Sequence, residues 1–480
     1  MVPKTKSRGT CADFTFVHIS RPDDSKQRRT QRIVRHHVMA RVAESRKKRP
    51  KSITFELRLP PARIDSVAME GNGETGAYRA HQDLGCYEHV PNSLHPYALF
   101  PVETDGRARQ LIQFMHNEGD YLYRPFRHEW FAMAVIDNTA FYLSLANAAL
   151  FFHQMTERKG CEYSDFEESS KYLSLCLNQV AQRLGRESHN ISEGVITTVL
   201  GFLCHDSTVG KWDRYNVHMN GLNNIVRLRG GIQALNSNIV MFTCWFDILG
   251  ASVFDRKPRF PLPPGFSAAT FGNNLFSQSM QDLLVRVRNS PAGLADCAIA
   301  LEKGAQLAAF VNENGGDPSF WKDGARAAKR ITPVLHFVLS LRRLTDTDSP
   351  SDISSEAVLR ELVRLALLIL VASVKQAFSL IADELTILLQ RFSALVSTAP
   401  FIGACFPELS LWAIIMVASL RLNQYNGLHA GATVNVMRAM RIKSGKAAVD
   451  VAKGLIWIDE LMEMRAPNVI VAIDHASCLS

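Results

Sequence analysis

From Arg107 onward the apolar residues of this chain recur every three or four positions, with no convincing run of alternation. That period constrains the fold most, because only a helix brings such positions onto one face. Arg127 to Lys159 contains no glycine or proline, which leaves room for one long helix or two. Tyr172, Leu175, Val180 and Leu184 form a stripe at helical spacing. Ahead of it, Ser164 and Glu167 fit a capping box, in which each side chain satisfies the other end's free N–H. Ile196, Val199, Leu200 and Leu203 continue the pattern in the next segment. The expected fold class is all-α, an irregular multi-helix domain preceded by a basic, largely disordered N-terminal arm.

Three regions follow from the shifts in composition. Residues 1–60 read as a basic arm, disordered or conditionally helical, in which Val34, Val38 and Val42 stack on one helix face. Ile53 to Leu59 alternates like a strand, but it is single and short. Residues 61–106, rich in Gly, Pro, His and Asn, read as an irregular connector. Residues 107–475 read as the helical domain. It is interrupted by a Pro-rich connector at 257–264, which no helix can cross, and by a polar loop at 345–356. Leu365 to Val374 is too short to span a membrane, and the longer apolar run from Phe401 to Leu420 carries Pro407 and Glu408. Both are expected to be buried core helices.

The net charge of +8 sits in the arm. Lys26 to Lys51 holds eleven Lys and Arg against one acid, Glu44, so that segment is +10 and the rest of the chain is −2. Arg28, Arg29, Arg32, Arg35, Arg46, Lys47, Lys48, Arg49 and Lys51 are the candidates for contact with a nuclear-import receptor or, weakly and without sequence preference, with nucleic acid. The nine cysteines are scattered and odd in number, and the N-terminus lacks the apolar stretch of a secretory signal. Reduced thiols in a nuclear or cytosolic protein are expected.

Lys211 to Leu235, KWDRYNVHMNGLNNIVRLRGGIQAL, mixes polar with apolar groups as active sites often do. Each part nevertheless has a structural reading. Trp212, Tyr215, Met219, Leu222 and Val226 form one helical stripe, with Trp212 expected to anchor it against a neighbouring helix. Gly230 and Gly231 stop the helix, since glycine accepts the left-handed backbone of a helix end. Arg227 and Arg229 fall in the last turn, where cations meet the negative end of the helix dipole. Gly221 in mid-helix predicts the close approach of another helix. His218 beside the stripe reads as a packing histidine with a satisfied ring, and Arg229 as a dipole partner or ion-pair member.

The pattern W-x5-H-x2-G-L-x2-I-V-x-L-R-G-G-I-x2-L resembles a signature of the fungal-specific transcription factor domain, the helical regulatory region that follows a six-cysteine zinc cluster in many fungal activators. Trp212, His218, Gly221, Leu222, Ile225, Val226, Leu228, Arg229, Gly230, Gly231 and Leu235 stand where that pattern wants them. The leader around Val34, Arg35, His37, Val38 and Met39 is similar to that of one filamentous-fungal branch, and Trp130 to Phe152 resembles the family's first core helices. The resemblance implies transcription regulation in the nucleus, shared with the cytoplasm, through contacts with a transcription-factor or transcription-machinery partner. It departs from the family at the zinc cluster, because the first cysteine after Cys11 is Cys86. No zinc-cluster DNA reader is therefore expected.

No catalytic constellation is legible. His128 to Ala132 lacks the second histidine of a zinc-protease motif, no G-x-S-x-G occurs, and Gly445-Lys446 lacks the rest of a phosphate loop. Cys204-His205 is an isolated pair. No metal, cofactor, membrane or catalytic role is expected. The alternative is an α-helical enzyme of secondary metabolism, for which Asp383-Glu384 is an isolated adjacent acidic pair in the C-terminal helices. The oligomeric state is left open.

Overall fold

The computed structural model describes residues 100–117, 126–157, 165–187, 191–263, 266, 276–291, 293–344, 354–399, 402–421 and 427–479, all within one compact unit, Cys86–Ser480. The basic arm, the Ile53–Leu59 alternation, Ser164 of the capping box and most of the 345–356 loop lie outside them. Ser355 and Glu356, assigned to that loop from sequence, instead open a helix, which the Ser354 hydroxyl caps by accepting from the Ala357 N–H at 3.2 Å.

Every regular element among the described residues is a helix. The first group is α1 (Gly106–Asn117), α2 (Arg127–Ala134), α3 (Asn138–Glu157), α4 (Glu167–Glu187), α5 (Glu193–Thr208), α6 (Trp212–Leu228) and α7 (Ser237–Val253). The second is α8 (Gln278–Arg288), α9 (Ala295–Asn314), α10 (Gly324–Ser340), α11 (Ser355–Ala377), α12 (Glu384–Thr398), α13 (Pro407–Leu420), α14 (Gly427–Ala439), α15 (Gly445–Lys453), α16 (Asp459–Met462) and α17 (Ala466–Leu479).

Apolar patterning sorts these helices by depth. Helices α5, α7, α11 and α13 are apolar all round and buried along most of their length, as expected of helices surrounded by others. Around α5 pack α3, α4, α6 and α7, and around α11 pack α9, α10, α12 and α13. Helix α7 meets α10, which joins the two groups. The apolar runs at 365–374 and 407–420 are thus buried core helices, and no described helix is long and apolar enough to cross a membrane.

The glycine-free stretch 127–159 makes two helices because Asp137 caps the second. Its carboxylate accepts from the N–H groups of Thr139 at 2.9 Å and Ala140 at 3.2 Å. On α4 the expected stripe is corrected. The buried face is Ser169, Leu173, Cys176 and Val180, while Leu175 and Leu184 are 40% and 37% exposed. Small residues made the difference. Cys176 packs against α3 closely enough for its thiol to donate to the Thr139 carbonyl at 3.5 Å. Burial pushes that thiol up to about 12.

Helix α7 ends in a Schellman turn: the Asp255 N–H donates to the Ser252 carbonyl and the Arg256 N–H to the Ala251 carbonyl. Asp255 occupies the left-handed position, φ 44°, where glycine is usual. Its carboxylate reaches Arg343 Nε at 3.0 Å, Arg364 Nη1 and Nη2 at 2.7 and 2.9 Å, and Arg391 Nη1. Arg364, fully buried on α11, is shared with Glu361. Arg343 follows α10 and Arg391 lies on α12, so one carboxylate ties α7 to three later helices. Burial acts to raise the Asp255 pKa, but the Arg364 hydrogen bonds, followed by the Arg364 and Arg343 charges, outweigh it and hold the carboxyl below its usual range.

A depressed carboxyl stabilises the fold above its unfolded value of about 3.9 and loses that contribution as pH falls through the folded value. Asp255→Asn keeps a residue that tolerates the left-handed backbone but leaves the buried guanidinium short of charge. The expected cost at pH 7 is about 3–5 kcal/mol. Denaturant titrations from pH 6 to pH 2 check both points: the parent should lose stability below about pH 4, and the variant should lose less over the same range.

Candidate functional site

The stretch around α6 is the candidate site. Tyr215, Met219, Leu222, Ile225 and Val226 are buried, so the stripe is the core face of the helix. Tyr215 is its anchor: it is fully buried, and its hydroxyl donates to the Phe246 carbonyl on α7. Trp212, expected from sequence to be the anchor, is only partly buried at the first turn. It lies 5.1 Å from the Tyr215 ring and 6.3 Å, edge-on, from Phe254.

The close helix approach is also displaced from its expected place. Nothing lies within 4 Å of a Cβ added at Gly221, whereas one added at Gly250 on α7 would stand 2.7 Å from Tyr215 Cε1. The glycine that lets the two helices meet is therefore on the partner helix. The double glycine does end α6. Gly230 donates to the Arg227 carbonyl at 3.1 Å and Gly231 to the Val226 carbonyl at 2.9 Å, with φ values of 92° and 103°. Arg229 Nη1 donates to the Ile191 carbonyl at 2.9 Å, which fastens the end of α6 to the start of α5.

Arg214 and His218 of α6 belong to a network that sequence reading did not assemble. His218 Nδ1 lies 2.8 Å from Asp206 Oδ2, and its ring stacks on Phe202 at 4.8 Å. Arg214 donates to Asp206 Oδ1 at 2.8 Å and to Asp165 Oδ2 at 3.1 Å. Asp165 Oδ1 is 3.0 Å from His205 Nε2, and His205 Nδ1 is 3.0 Å from Asn147 Oδ1. Asn147 completes the chain by donating to the Gly201 carbonyl at 3.3 Å. Burial pushes the His205 ring below its ordinary pKa, and Asp165 opposes that. Burial acts to raise the Asp165 carboxyl, but hydrogen bonds from His205 and Arg214 outweigh it and hold the group low.

These contacts span α3, α5, α6 and the approach to α4, and every titratable side chain in them has a protein partner. The arrangement positions helices relative to one another. The cysteine of the Cys204-His205 pair is buried in the core, which pushes its thiol pKa up. Glu384 of the acidic pair is committed to a buried ion pair with Lys375 Nζ at 2.5 Å. Among the described residues, no group of three or more His, Cys, Asp and Glu is gathered as a metal would need. An open groove of about 800 Å³ runs beside Tyr142, Gln179 and Gln182, but its charged centre, Asp137 with Arg183, is paired at 2.7 Å. Arg28, Arg29, Arg32, Arg35, Arg46, Lys47, Lys48, Arg49 and Lys51 lie outside the described residues.

Residues 109–273 match the family model of the fungal specific transcription factor domain. The match covers α2 to α7 and most of α1, and ends before α8. No curated protein and no solved structure matches the chain.

The geometry orders four substitutions in α6 and its stop. Tyr215→Ala should cost about 3–5 kcal/mol, since it empties a buried aromatic site. Trp212→Ala should cost less. Gly230→Val should cost about 1–3 kcal/mol from backbone strain alone, because no atom stands within 4 Å of the added Cβ. Gly221→Ala should stabilise by about 0.5–1 kcal/mol, as for any open mid-helix glycine. Urea unfolding of the four variants beside the parent checks the order.

Proposed function

We propose that this chain, which carries a fungal specific transcription factor domain over residues 109–273, regulates transcription in the nucleus through the surface of its helical body. The family match is the observation that carries this reading. The described site fits it, because Arg214, His218 and the groups they meet hold helices together. In this reading the chain has no zinc-cluster reader of its own and acts through a partner already on DNA, or through the transcription machinery. The arm from Lys26 to Lys51 would engage a nuclear-import receptor and add weak, salt-dependent contact with nucleic acid. The protein would spend part of its time in the cytoplasm.

Two measurements test this. The full chain, fused to an unrelated DNA-binding domain and tethered upstream of a reporter, should change reporter output several-fold in a fungal host. An output equal to that of the DNA-binding domain alone would remove the regulatory reading. In a fluorescent fusion, replacing Arg46, Lys47, Lys48 and Arg49 with alanine should lower the nuclear-to-cytoplasmic ratio. An unchanged ratio would take the import role away from that run.

A further inference from the structure

The loop that follows α7 sends its charged residues in two directions. Asp255 turns toward Arg343, Arg364 and Arg391, as described above. Arg256 and Arg259 turn toward α6. Arg256 Nη2 donates to Asn216 Oδ1 at 2.8 Å, and Arg259 Nη2 reaches the same oxygen at 3.5 Å and Asn220 Oδ1 at 3.0 Å. Two guanidinium groups thus converge on one neutral amide oxygen.

The charge there is not balanced. Among the described residues, the only carboxylate in contact with either group is Asp247, 3.8 Å from Arg259 Nη1. Its Oδ2 is occupied by the backbone N–H groups of Arg259 at 2.7 Å and Phe260 at 2.9 Å. Among the described residues Arg256 forms no ion pair and meets only the Asn216 amide and the face of Phe254 at 4.9 Å. Arg256 Nε is a buried donor with no acceptor, in a class of group that proteins rarely leave unmatched, and Arg259 Nη1 faces Asp247 Oδ1 at 3.8 Å, beyond hydrogen-bond reach. Burial and the neighbouring Arg259 charge lower the Arg256 pKa, and the Asp247 charge offsets them only in part. Two arginines against one carboxylate leave one positive charge, and Lys257, exposed beside them, adds a second.

We propose that Arg256 and Arg259, oriented by Asn216 and Asn220 of α6, form a binding site for a phosphate group, such as that of a phosphorylated metabolite. Two guanidinium forks suit a tetrahedral oxyanion with three free oxygens better than a carboxylate with two. The surplus charge matches the roughly −1.5 to −2 of a phosphate monoester. Asn220 and Lys257 are exposed, so the site opens to solvent. An occupant would bridge α6 to the loop after α7. The site does not depend on the transcription reading, and it would give such a regulator a place to sense a small molecule.

Thermal unfolding of the full chain tests the site with three sodium salts at pH 7 and equal ionic strength: phosphate, acetate and chloride. Phosphate should raise the parent's midpoint by about 1–3 °C over chloride, with acetate giving less. Arg256→Gln removes an unpaired cation, so it should melt at or above the parent and lose the phosphate response. Asn220→Asp puts a carboxylate on the exposed rim without disturbing the core, and it should lose the response as well. Arg288→Gln, in the exposed pair with Glu302, should keep it. Equal midpoints in phosphate and chloride for the parent would overturn the proposal. So would a full response in Arg256→Gln or Asn220→Asp, or a larger response to acetate than to phosphate.

Discussion

The contact between Asp255 and three arginines is the constraint on which the larger structure depends. A helix stop in the left-handed conformation normally falls to glycine, and a side chain there costs free energy. Asp255 is among the few residue types that tolerate it, and its carboxylate is what the position requires. Arg364 has no exposure to solvent, so its charge must be met inside the protein. Glu361 meets it from the same helix, but Asp255 meets it from the other helix group. The contact therefore fixes how α7 sits against α10, α11 and α12. The family match ends at residue 273, whereas all three arginines come later. A chain cut at that boundary would leave Asp255 without its cations. The matched segment and the helices after it behave physically as one folding unit.

The same turn explains why two neighbouring arginines are held close to each other. On a loose loop, Arg256 and Arg259 would swing apart and hydrate separately. Here the backbone before them is fixed by the Asp255 clamp, and the backbone after them is fixed on both sides of Phe260. Its N–H donates to Asp247 at 2.9 Å, and His336 Nε2 lies 2.9 Å from its carbonyl. Preorganisation of this kind lowers the cost of binding an anion, because the repulsion is met during folding rather than on binding.

Much of this architecture is legible in the sequence, but unevenly. Period alone identifies an all-helical body, and apolar content alone marks α11 and α13 as core. The Gly230-Gly231 stop is legible because it is local: a Schellman turn involves only six consecutive residues. The errors fall where small residues or distant partners decide. On α4, Ser169 and Cys176 face the core while the larger Leu175 and Leu184 face solvent, so reading by size rotates the helix wrongly. Trp212 looked like an anchor because it is large, but it sits in the first turn and is only partly buried against the core. Gly221 looked like a packing glycine, yet the close contact is made by Gly250 of the facing helix. The Asp165–His205–Asn147 chain and the Asp255 clamp join residues dozens of positions apart, and no spacing rule reports them.

The signature around α6 can now be divided by face. Leu222, Ile225 and Val226 point into the core, His218 reaches Asp206, and Arg229 and the two glycines close the helix. Each of these positions builds the helix or its docking, which is why they recognise a fold and report nothing about what it binds. Asn216 and Asn220 lie one turn apart on the remaining face, between the signature positions, and both reach the arginines of the next loop. A helix that spends its recognisable residues on architecture has only such intervening positions left for contact with a ligand. On this protein, whatever distinguishes its function from that of another chain with the same fold is expected at Asn216, Asn220, Arg256 and Arg259, and not in the motif that identifies the domain.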